Sequence, residues 1–381
     1  MVTEFTGDFQ LYCHREAKIS KISKTSMLAI LEKNDAAAVL HFHEKITADN
    51  SQYRGIHPIA SLDSHQGNLA KLVNKAIASL PRAAHGIPGA LTTIERSGEE
   101  DTDMDSGSGS MLANGVDVKK PDFISVTRGP GMRSSLSAGL DLAKGLAVAW
   151  QVPLVGVNHM QAHALTPRLV SALDQRTRHP VAPAFPFLSL LVSGGHTLLV
   201  HSQDLIQHKI LASTTDIAVG EAIDKMARTI LPDKLLEESR DTMYGPLIER
   251  FAFPGESSEY NYTAPVTREK ELARKPSSWG WAYGPPLAET KKGSRAKAME
   301  FSFSGLASAT ERFVQKADHE VTLPERVDLS KEAMRVSFEH LASRVVMGLN
   351  NMKRDDPIAE SAIRTLVVSG GVASNQYLKV M

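Results

Sequence analysis

The sequence contains very little cysteine, no long apolar run and no excess of charge of either sign. Of its 381 residues only Cys13 is a cysteine, which excludes a disulfide framework and cysteine-based zinc modules and fits a reducing compartment. No stretch of about 18 consecutive apolar residues occurs, so we expect no membrane-spanning helix. The 43 lysine and arginine residues balance 43 aspartate and glutamate residues, so any contact with nucleic acid must come from a local patch.

Two stretches have a composition unlike that of a folded domain. Residues 1–26 combine basic side chains with serine and threonine, as the end of an organellar transit peptide does, whereas Glu4, Asp8 and Glu16 argue against one. A leader and a disordered extension both remain open. Residues 97–114 are rich in Glu, Asp, Ser and Gly, which predicts a disordered surface insertion at about 95–118, because such a segment buries too little apolar area to offset its ordering entropy.

The rest of the chain alternates short apolar runs with amphipathic stretches, which predicts an α/β protein with two domains. Helices are predicted from residue 59 onward, over Arg133–Trp150, and over 332–352, where Phe338, Leu341, Val345 and Leu349 share a face. Strands are predicted over 27–31, 36–40, 123–126, 152–157, Phe187–Val192 and 197–200. A proline-rich connector at 179–186 predicts the boundary between a first lobe, 27–178, and a second lobe, 186–381.

His159 and His163 stand four residues apart at the start of a predicted helix. The run 152–157 predicts a buried strand before it, and Asn158 offers a side-chain oxygen for the N-cap. Residues at i and i+4 lie on one helix face about 5–6 Å apart at Cβ, so two imidazole nitrogens can bind one metal ion at about 2.0–2.1 Å. Two histidines with satisfied partners in a core would produce the same spacing, so both interpretations stay open here.

Two glycine-bearing turns follow predicted strands. Gly129-Pro130-Gly131 joins a strand to a helix, and Ser193-Gly194-Gly195 joins two strands. Backbone N–H groups that face outward from such turns can hold an anion such as a phosphate. Tight structural turns use the same residues, so a phosphate site is one of two interpretations.

Six motifs in a fixed order resemble one protein family. They are Gly129-Pro130-Gly131, Asn158-His159-Met160-Gln161-Ala162-His163, Leu191-Val192-Ser193-Gly194-Gly195-His196-Thr197, Gly220-Glu221-Ala222-Ile223-Asp224-Lys225, Phe301-Ser302-Phe303-Ser304-Gly305-Leu306 and Ser369-Gly370-Gly371-Val372-Ala373-Ser374-Asn375. This set resembles the tRNA threonylcarbamoyladenosine transferase family, once called O-sialoglycoprotein endopeptidases. The resemblance covers residues from about 52 to the end, with insertions at about 91–120 and 253–298, and the stretch 55–69 is most similar to the mitochondrial, fungal-type branch.

The resemblance implies an actin-like, two-lobed α/β fold with the active site in the cleft between the lobes. It implies transfer of threonylcarbamoyl from threonylcarbamoyl-AMP to N6 of the adenosine just 3′ of the anticodon, in mitochondrial tRNAs that read codons beginning with A. A mitochondrial location, a homodimer, tRNA as partner and no contact with a membrane are implied in the same way.

The resemblance also implies site residues and a cofactor. One divalent metal ion per subunit, iron or zinc, would be bound by His159 and His163. The expected substrate-binding residues are Leu191, Val192, Ser193, Gly194 and Gly195 for the threonylcarbamoyl adenylate, Asp224 for the nucleoside, Gly245 for the adenosine and Asn375 for the nucleotide. Gly245 lies in a Tyr-Gly-Pro run that is shorter than the family's Tyr-Pro-Gly-Gly-Pro.

Two features of the family are not found in the sequence. The family's first strand leads into Glu-Thr-Ser-Cys-Asp-Asp-Thr, whereas here residues 27–30 continue directly into Leu31-Glu32-Lys33-Asn34. The family's third metal ligand, an aspartate downstream of the Asn375 turn, is also missing before the last residue, Met381. We interpret both as signs of an incomplete gene model, with a catalytically impaired paralogue as the alternative.

Two other classes of function remain to be weighed. A metalloprotease, which the old family name suggests, needs His-Glu-x-x-His, but Met160 and Gln161 follow His159. A non-catalytic nucleotide-binding or scaffold protein is compatible with the two missing features.

Overall fold

The structure is a computed structural model, and it describes residues 15–22, 25–33, 38–50, 53, 57–83, 110–174, 181–239, 243–255, 260–288 and 293–381. The described residues form a mixed α/β protein with two five-stranded sheets and one two-stranded sheet. The elements of the first part are β1 (Arg15–Ile22), β2 (Thr25–Lys33), β3 (Ala38–Thr47), α1 (Pro58–Ile77), β4 (Ser110–Ala113), β5 (Val116–Lys119), β6 (Phe123–Gly129), α2 (Arg133–Trp150), β7 (Leu154–Asn158) and α3 (His159–Leu173).

The second part of the chain builds the second large sheet and most of the helices. Its elements are β8 (Phe187–Val192), β9 (Thr197–Ser202), β10 (His208–Thr214), α4 (Val219–Ile230), α5 (Asp233–Glu237), α6 (Gly245–Ala252), α7 (Arg268–Leu272), β11 (Glu300–Phe301), α8 (Ser304–Gln315), α9 (Leu323–Asp355), α10 (Pro357–Ala362), β12 (Leu366–Ser369), a 3₁₀ turn (Gly371–Ser374) and α11 (Gln376–Val380).

Four strands of each large sheet repeat one arrangement, and the fifth strand lies at opposite edges in the two sheets. In the first, β1, β2 and β3 are antiparallel neighbours and β1 pairs in parallel with β6, giving the order β3-β2-β1-β6-β7. In the second, β8, β9 and β10 are antiparallel neighbours and β8 pairs in parallel with β12, giving the order β11-β10-β9-β8-β12. Since β12 and β8 run in parallel with Ser369 opposite Leu191, the turns that follow both strands emerge at one edge of the sheet.

Each large sheet packs helices over its own apolar core. The first core joins α1 and α2 to the sheet, with Leu72 and Ile124 fully buried. The second joins β8 and β9 to α4, α8 and α9. The six residues of β8 are all buried, as expected for a central strand that is covered on both faces.

Helix predictions from periodicity agree with the structure. Helix α2 has the predicted bounds, Arg133–Trp150, and α1 begins at Pro58 with His57 as its N-cap. Helix α9 is longer than predicted, and its Phe338, Leu341 and Val345 lie in the second core. No helix among the described residues is both long enough and apolar enough to cross a membrane.

Three sequence predictions disagree with the structure in the parts that it describes. Residues 1–26 were expected to be a leader or a disordered extension, but Arg15–Ile22 form β1. This strand is the middle one of its sheet, since it pairs with both β2 and β6. Residues 1–14 lie outside the described part. The insertion at about 95–118 was expected to be disordered, but 110–113 and 116–119 form an antiparallel hairpin; residues 84–109 are not described. The strand before the histidine helix is not buried, since β7 is an edge strand whose Leu154 and Val155 are exposed.

The second expected insertion, 253–298, is packed against the second core where it is described. Trp281 and Tyr283 are buried there, and the indole N–H of Trp281 donates to Glu325 of α9 at 3.1 Å. Between the predicted strands 27–31 and 36–40, β2 continues to Lys33, and residues 34–37 lie outside the described part.

Candidate functional site

The first part of the site is the histidine pair on α3. The Oδ1 atom of Asn158 accepts hydrogen bonds from the backbone N–H groups of Met160 at 2.9 Å and Gln161 at 3.2 Å, so the predicted N-cap is confirmed. The cap starts the helix at His159, which places His163 one turn later on the same face. Their Nε2 atoms are 3.0 Å apart, and the two rings meet edge to face with centroids 4.3 Å apart.

A third imidazole lies beside this pair. The ring centroid of His196, from the turn after β8, is 6.2 Å from that of His159. Burial lowers the pKa of His163 to about 4, helped by the proximity of His196, and burial also lowers the pKa of His196. Both rings are therefore neutral near pH 7, which is the form in which imidazole binds metals. The sequence offered His196 only as part of a motif, and no local signal indicated that it would lie next to His159.

The histidine pair fits a shared cation in donor type and spacing. Two imidazole nitrogens 3.0 Å apart can both reach one ion at about 2.0–2.1 Å. Among the residues described by the structure, no group of three or more histidine, cysteine or acidic side chains is arranged to hold a metal ion. In the described part of the chain, the pair alone therefore offers two donors, fewer than a metal ion needs.

The second part of the site is the turn between β8 and β9. The hydroxyl of Ser193 accepts hydrogen bonds from the N–H groups of Gly195 at 3.3 Å and His196 at 3.0 Å, and the Ser193 N–H donates to the carbonyl of His196 at 2.9 Å. The N–H of Gly195 therefore already has a partner inside the turn, although the sequence predicted outward-facing N–H groups that could hold an anion. Leu191 and Val192 are buried in β8, so these two residues can meet a ligand only through their backbone.

Helix α4 begins directly against this turn. The N-cap residue, Ala218, has no side chain that could accept from the first N–H groups of the helix. Instead, the N–H of Val219 donates to Oγ1 of Thr197 at 2.9 Å, and the N–H of Gly220 donates to the carbonyl of Ser193 at 3.1 Å. A Cβ atom on Gly220 would lie 2.8 Å from the backbone nitrogen of Gly194, so only glycine permits this approach. The contact fixes α4 to the glycine turn.

Asp224 lies one turn further along α4 and holds the start of α6. Its Oδ1 atom accepts hydrogen bonds from the N–H groups of Tyr244 at 2.7 Å and Gly245 at 3.0 Å. A carboxylate in this position satisfies N–H groups that the helix leaves without partners and also interacts favourably with the helix dipole. Asp224 and Gly245, both predicted site residues, are therefore in direct contact.

Asn375 lies at the start of α11, after the Gly370–Gly371 turn. It is buried, and its Oδ1 atom accepts a hydrogen bond from the N–H of Leu378 at 3.0 Å. The turn itself packs on the end of β8, because the position of a Cβ on Gly370 is 2.2 Å from the carbonyl oxygen of Val192. This packing brings the turn before Asn375 next to the Ser193 turn.

Four glycines of the assembled region face open space. A Cβ atom added to any of them would find no atom within 4 Å; they are Gly194, Gly195, Gly245 and Gly371. Gly220 and Gly370, by contrast, are in close backbone contact. The region thus combines closely packed backbone at Gly220 and Gly370 with glycines whose Cβ side is open, where a ligand can approach the backbone.

The comparison with protein families identifies the family to which the six motifs belong. The sequence model of the TsaD family, described as tRNA N6-adenosine threonylcarbamoyltransferase, matches residues 109–381. The chain belongs to this family. The resemblance inferred from the six motifs is therefore confirmed.

Individual relatives carry the same family name. The chain is 34% identical over 331 residues to the mitochondrial tRNA N6-adenosine threonylcarbamoyltransferase of Schizosaccharomyces pombe, covering 86% of this chain and 61% of that protein. It is 34% identical over 265 residues to the enzyme of that name from Trichlorobacter lovleyi, covering 70% of this chain and 62% of that protein. The chain therefore spans about three-fifths of the length of these two TsaD-family relatives.

Solved structures with detectable similarity are remote from this TsaD-family chain. YeaZ from Pseudomonas aeruginosa aligns with a TM-score of 0.25 at 13% identity, covering 51% of this chain and 68% of that one. The Aquifex aeolicus PPX-GPPA enzyme aligns with a TM-score of 0.31 at 11% identity, covering 96% of this chain and 99% of that one. Both TM-scores lie below the range in which a shared fold can be inferred.

Proposed function

We propose that this chain transfers the threonylcarbamoyl group of threonylcarbamoyl-AMP to N6 of the adenosine just 3′ of the anticodon, in mitochondrial tRNAs that read codons beginning with A. The observation that carries the proposal is the placement of the pair His159 and His163 beside the glycine turn at Ser193, through the neighbouring His196. Family membership and the name of the S. pombe relative supply the reaction and the compartment.

The proposal includes the architecture in which the reaction occurs. We infer an actin-like, two-lobed fold whose lobes correspond to the two large sheets, with the substrate between them. The shared strand order of the two sheets supports this inference, because both contain an antiparallel meander whose first strand pairs in parallel with a later strand. A homodimer is proposed from the resemblance alone.

The proposed metal ligands are His159 and His163. Iron or zinc fits imidazole donors, and a bound divalent ion would polarise the carbonyl of the donor and stabilise its developing negative charge. The low pKa of His163 keeps its lone pair available for binding down to about pH 4. Nε2 of His159 already lies 3.0 Å from Nε2 of His163, so the two rings need little rearrangement to bind one ion.

We propose that the residues around the glycine turn at Ser193 orient the substrates. In the proposal, the open backbone at Gly194 and Gly195 receives the acyl phosphate, and the first turn of α6, fixed by Asp224, receives the nucleoside. Asn375 and the turn before it complete the nucleotide subsite. The exocyclic nitrogen of adenine is a weak nucleophile, so holding donor and acceptor in register contributes much of the rate enhancement.

A direct assay tests the reaction. The purified protein is incubated with threonylcarbamoyl-AMP and a tRNA transcript, and the nucleosides are then analysed by mass spectrometry. We expect N6-threonylcarbamoyladenosine from the wild-type protein and its loss in His163→Ala. We expect its retention in His41→Asn, which alters a histidine on β3 that pairs with Glu32 of β2. Absence of the product with the wild-type protein at any metal loading would refute the proposed reaction.

A second assay tests the metal ligands independently of activity. Metal content measured by mass spectrometry should be close to one ion per chain in the wild type and much lower in His159→Ala. Equal metal content in the two proteins would show that the pair is not the metal site.

One observation favours a second candidate function. Although His196 lies nearby, the described residues contain no group of three side chains arranged to hold a metal ion. This is compatible with a protein that binds the adenylate without turning it over. Saturable binding of threonylcarbamoyl-AMP together with no detectable transfer would favour this alternative.

A further inference from the structure

Helix α6 connects two of the predicted nucleoside-binding residues through two acidic side chains. At its start, Asp224 accepts from the N–H groups of Tyr244 and Gly245. One turn later, Oε1 of Glu249 accepts a hydrogen bond from the N–H of Gln376, the residue after Asn375, at 2.6 Å. The helix therefore joins Asp224 to the segment that carries Asn375.

Glu249 and Asn375 together cap the start of α11. Glu249 accepts from the N–H groups of Gln376 and Tyr377, and Asn375 accepts from that of Leu378. The first N–H groups of a helix have no partner within the helix, so these acceptors decide where the helix begins. The hydroxyl of Tyr260 donates to the same Glu249 oxygen at 3.3 Å, which fixes the position of the carboxylate.

The environment of Glu249 shows that the contact is not an incidental surface pair. Burial raises its pKa, while hydrogen bonds from Gln376, Tyr377 and Tyr260 and the charge of Lys379 favour the ionised form. A partly desolvated carboxylate is costly unless it is hydrogen-bonded, and the backbone of α11 provides those hydrogen bonds.

We propose that Glu249 is a positioning residue that sets the distance between the Asp224–Gly245 subsite and the Asn375 turn, and thereby the affinity for the adenylate. This inference rests on the proposed function. Glu249 acts through the backbone at Gln376 and itself contacts no reacting atom. None of the six family motifs contains Glu249.

Aromatic packing is the competing explanation for the position of α11. The ring of Tyr377 is buried, with its centroid 5.0 Å from that of Phe253 and 6.3 Å from that of Tyr260. Such packing holds the side chain in an apolar site but is not directional, whereas a hydrogen bond to a backbone N–H fixes the register of the chain. We therefore expect loss of Glu249 to leave α11 docked but displaced.

The test compares Glu249→Ala and Glu249→Gln with Glu311→Ala. Glu311 is a matched control on α8, with an exposed carboxylate that accepts a hydrogen bond from Gln315 at 3.3 Å. Binding of a hydrolysis-resistant threonylcarbamoyl-AMP analogue is measured by calorimetry, and metal content is measured on the same samples. We expect Glu249→Ala to weaken analogue binding about tenfold, since a hydrogen bond to a charged group contributes roughly this factor or more. Glu249→Gln, which retains an acceptor oxygen, should lose less, and Glu311→Ala should bind as the wild type does.

Metal content separates positioning from a general loss of structure. Glu249→Ala should keep the wild-type metal content, because the histidine pair lies on α3, whereas a loosened fold would lose both metal and analogue. In the transfer assay the KM for the adenylate should rise while kcat at saturation changes less than about twofold. If Glu249→Ala fails to fold, the same comparison is made with Glu249→Gln.

The outcomes distinguish this inference from the function on which it rests. A wild-type protein that does not bind the analogue refutes the proposed function. A wild-type protein that binds it, with Glu249→Ala binding equally tightly, refutes the positioning role and shows that the aromatic packing of Tyr377 is sufficient.

Discussion

Gly370 and Gly371 are adjacent in the chain but differ in what a side chain would meet. Gly370 has φ 105° and ψ 169°, a backbone conformation that is almost restricted to glycine. A Cβ atom at this position would lie 2.2 Å from the carbonyl oxygen of Val192 and 2.7 Å from its carbonyl carbon. Gly371 has no positive φ, and a Cβ atom there would meet nothing within 4 Å.

The cost of Gly370→Ala has two sources. The backbone conformation costs about 1–3 kcal/mol for a residue with a Cβ. Relieving the overlap requires a shift of roughly 1 Å between two packed backbone segments, and forced overpacking of this kind costs about 1–3 kcal/mol. We therefore expect Gly370→Ala to lower the free energy of unfolding by about 2–6 kcal/mol, whereas Gly371→Ala should change it by no more than about 1 kcal/mol in either direction.

Urea denaturation followed by tryptophan fluorescence measures this difference. Trp281 is buried in the second core, to which the Gly370 turn is attached through β8, so it reports on the relevant transition. Gly371→Ala should unfold as the wild type does but bind the adenylate more weakly, because its methyl group enters the open front of the site. Equal urea midpoints for the two variants would refute the packing described for the Gly370 turn.

Three further predictions concern stability. His340→Gln should flatten the pH dependence of the free energy of unfolding. Burial, with Arg344 and Arg268 adding to it, lowers the pKa of His340 well below its usual value, so only the unfolded chain takes up a proton below about pH 6.5, and the wild type loses about 1 kcal/mol of stability between about pH 6.5 and 5.5. Urea midpoints at the two pH values measure this loss, and an equal loss in the variant would contradict the prediction. Asn158→Ala should lower the free energy of unfolding by about 1 kcal/mol through loss of the α3 N-cap, measured by the same denaturation. An unchanged urea midpoint would show that water replaces the cap without loss of stability. Asp216→Asn should destabilise the protein by about 1 kcal/mol, because its carboxylate accepts from the hydroxyls of two serines and from three backbone N–H groups, and a midpoint equal to that of the wild type would show that these bonds contribute nothing net.

Local signals in the sequence predicted the elements that depend on local contacts. The apolar spacing of α2 and the Asn158 cap of α3 act within a few residues, so both could be recognised without knowledge of the fold. The same is true of β8, whose continuous apolar run indicates a strand buried on both faces. The spacing of His159 and His163 likewise predicted two imidazoles on one helix face.

Features that depend on distant partners were missed. Strand β1 has few apolar residues, and its place in the sheet comes from pairing with β2 and with β6, which is about a hundred residues away in the chain. The exposure of β7 follows from its position at the sheet edge, which no property of its own sequence reveals. His196 reaches His159, and Glu249 reaches Gln376, only after the long-range packing is complete.

The relation between the glycine turn and the histidine pair is most directly tested by a crystal structure with a hydrolysis-resistant threonylcarbamoyl-AMP analogue. We predict that the phosphate lies at the backbone of Gly194 and Gly195, the adenosine lies against the first turn of α6, and the threonylcarbamoyl group points towards His159 and His163. An analogue bound elsewhere, or bound with its threonylcarbamoyl group directed away from the two histidines, would contradict the proposal that these residues form one active site.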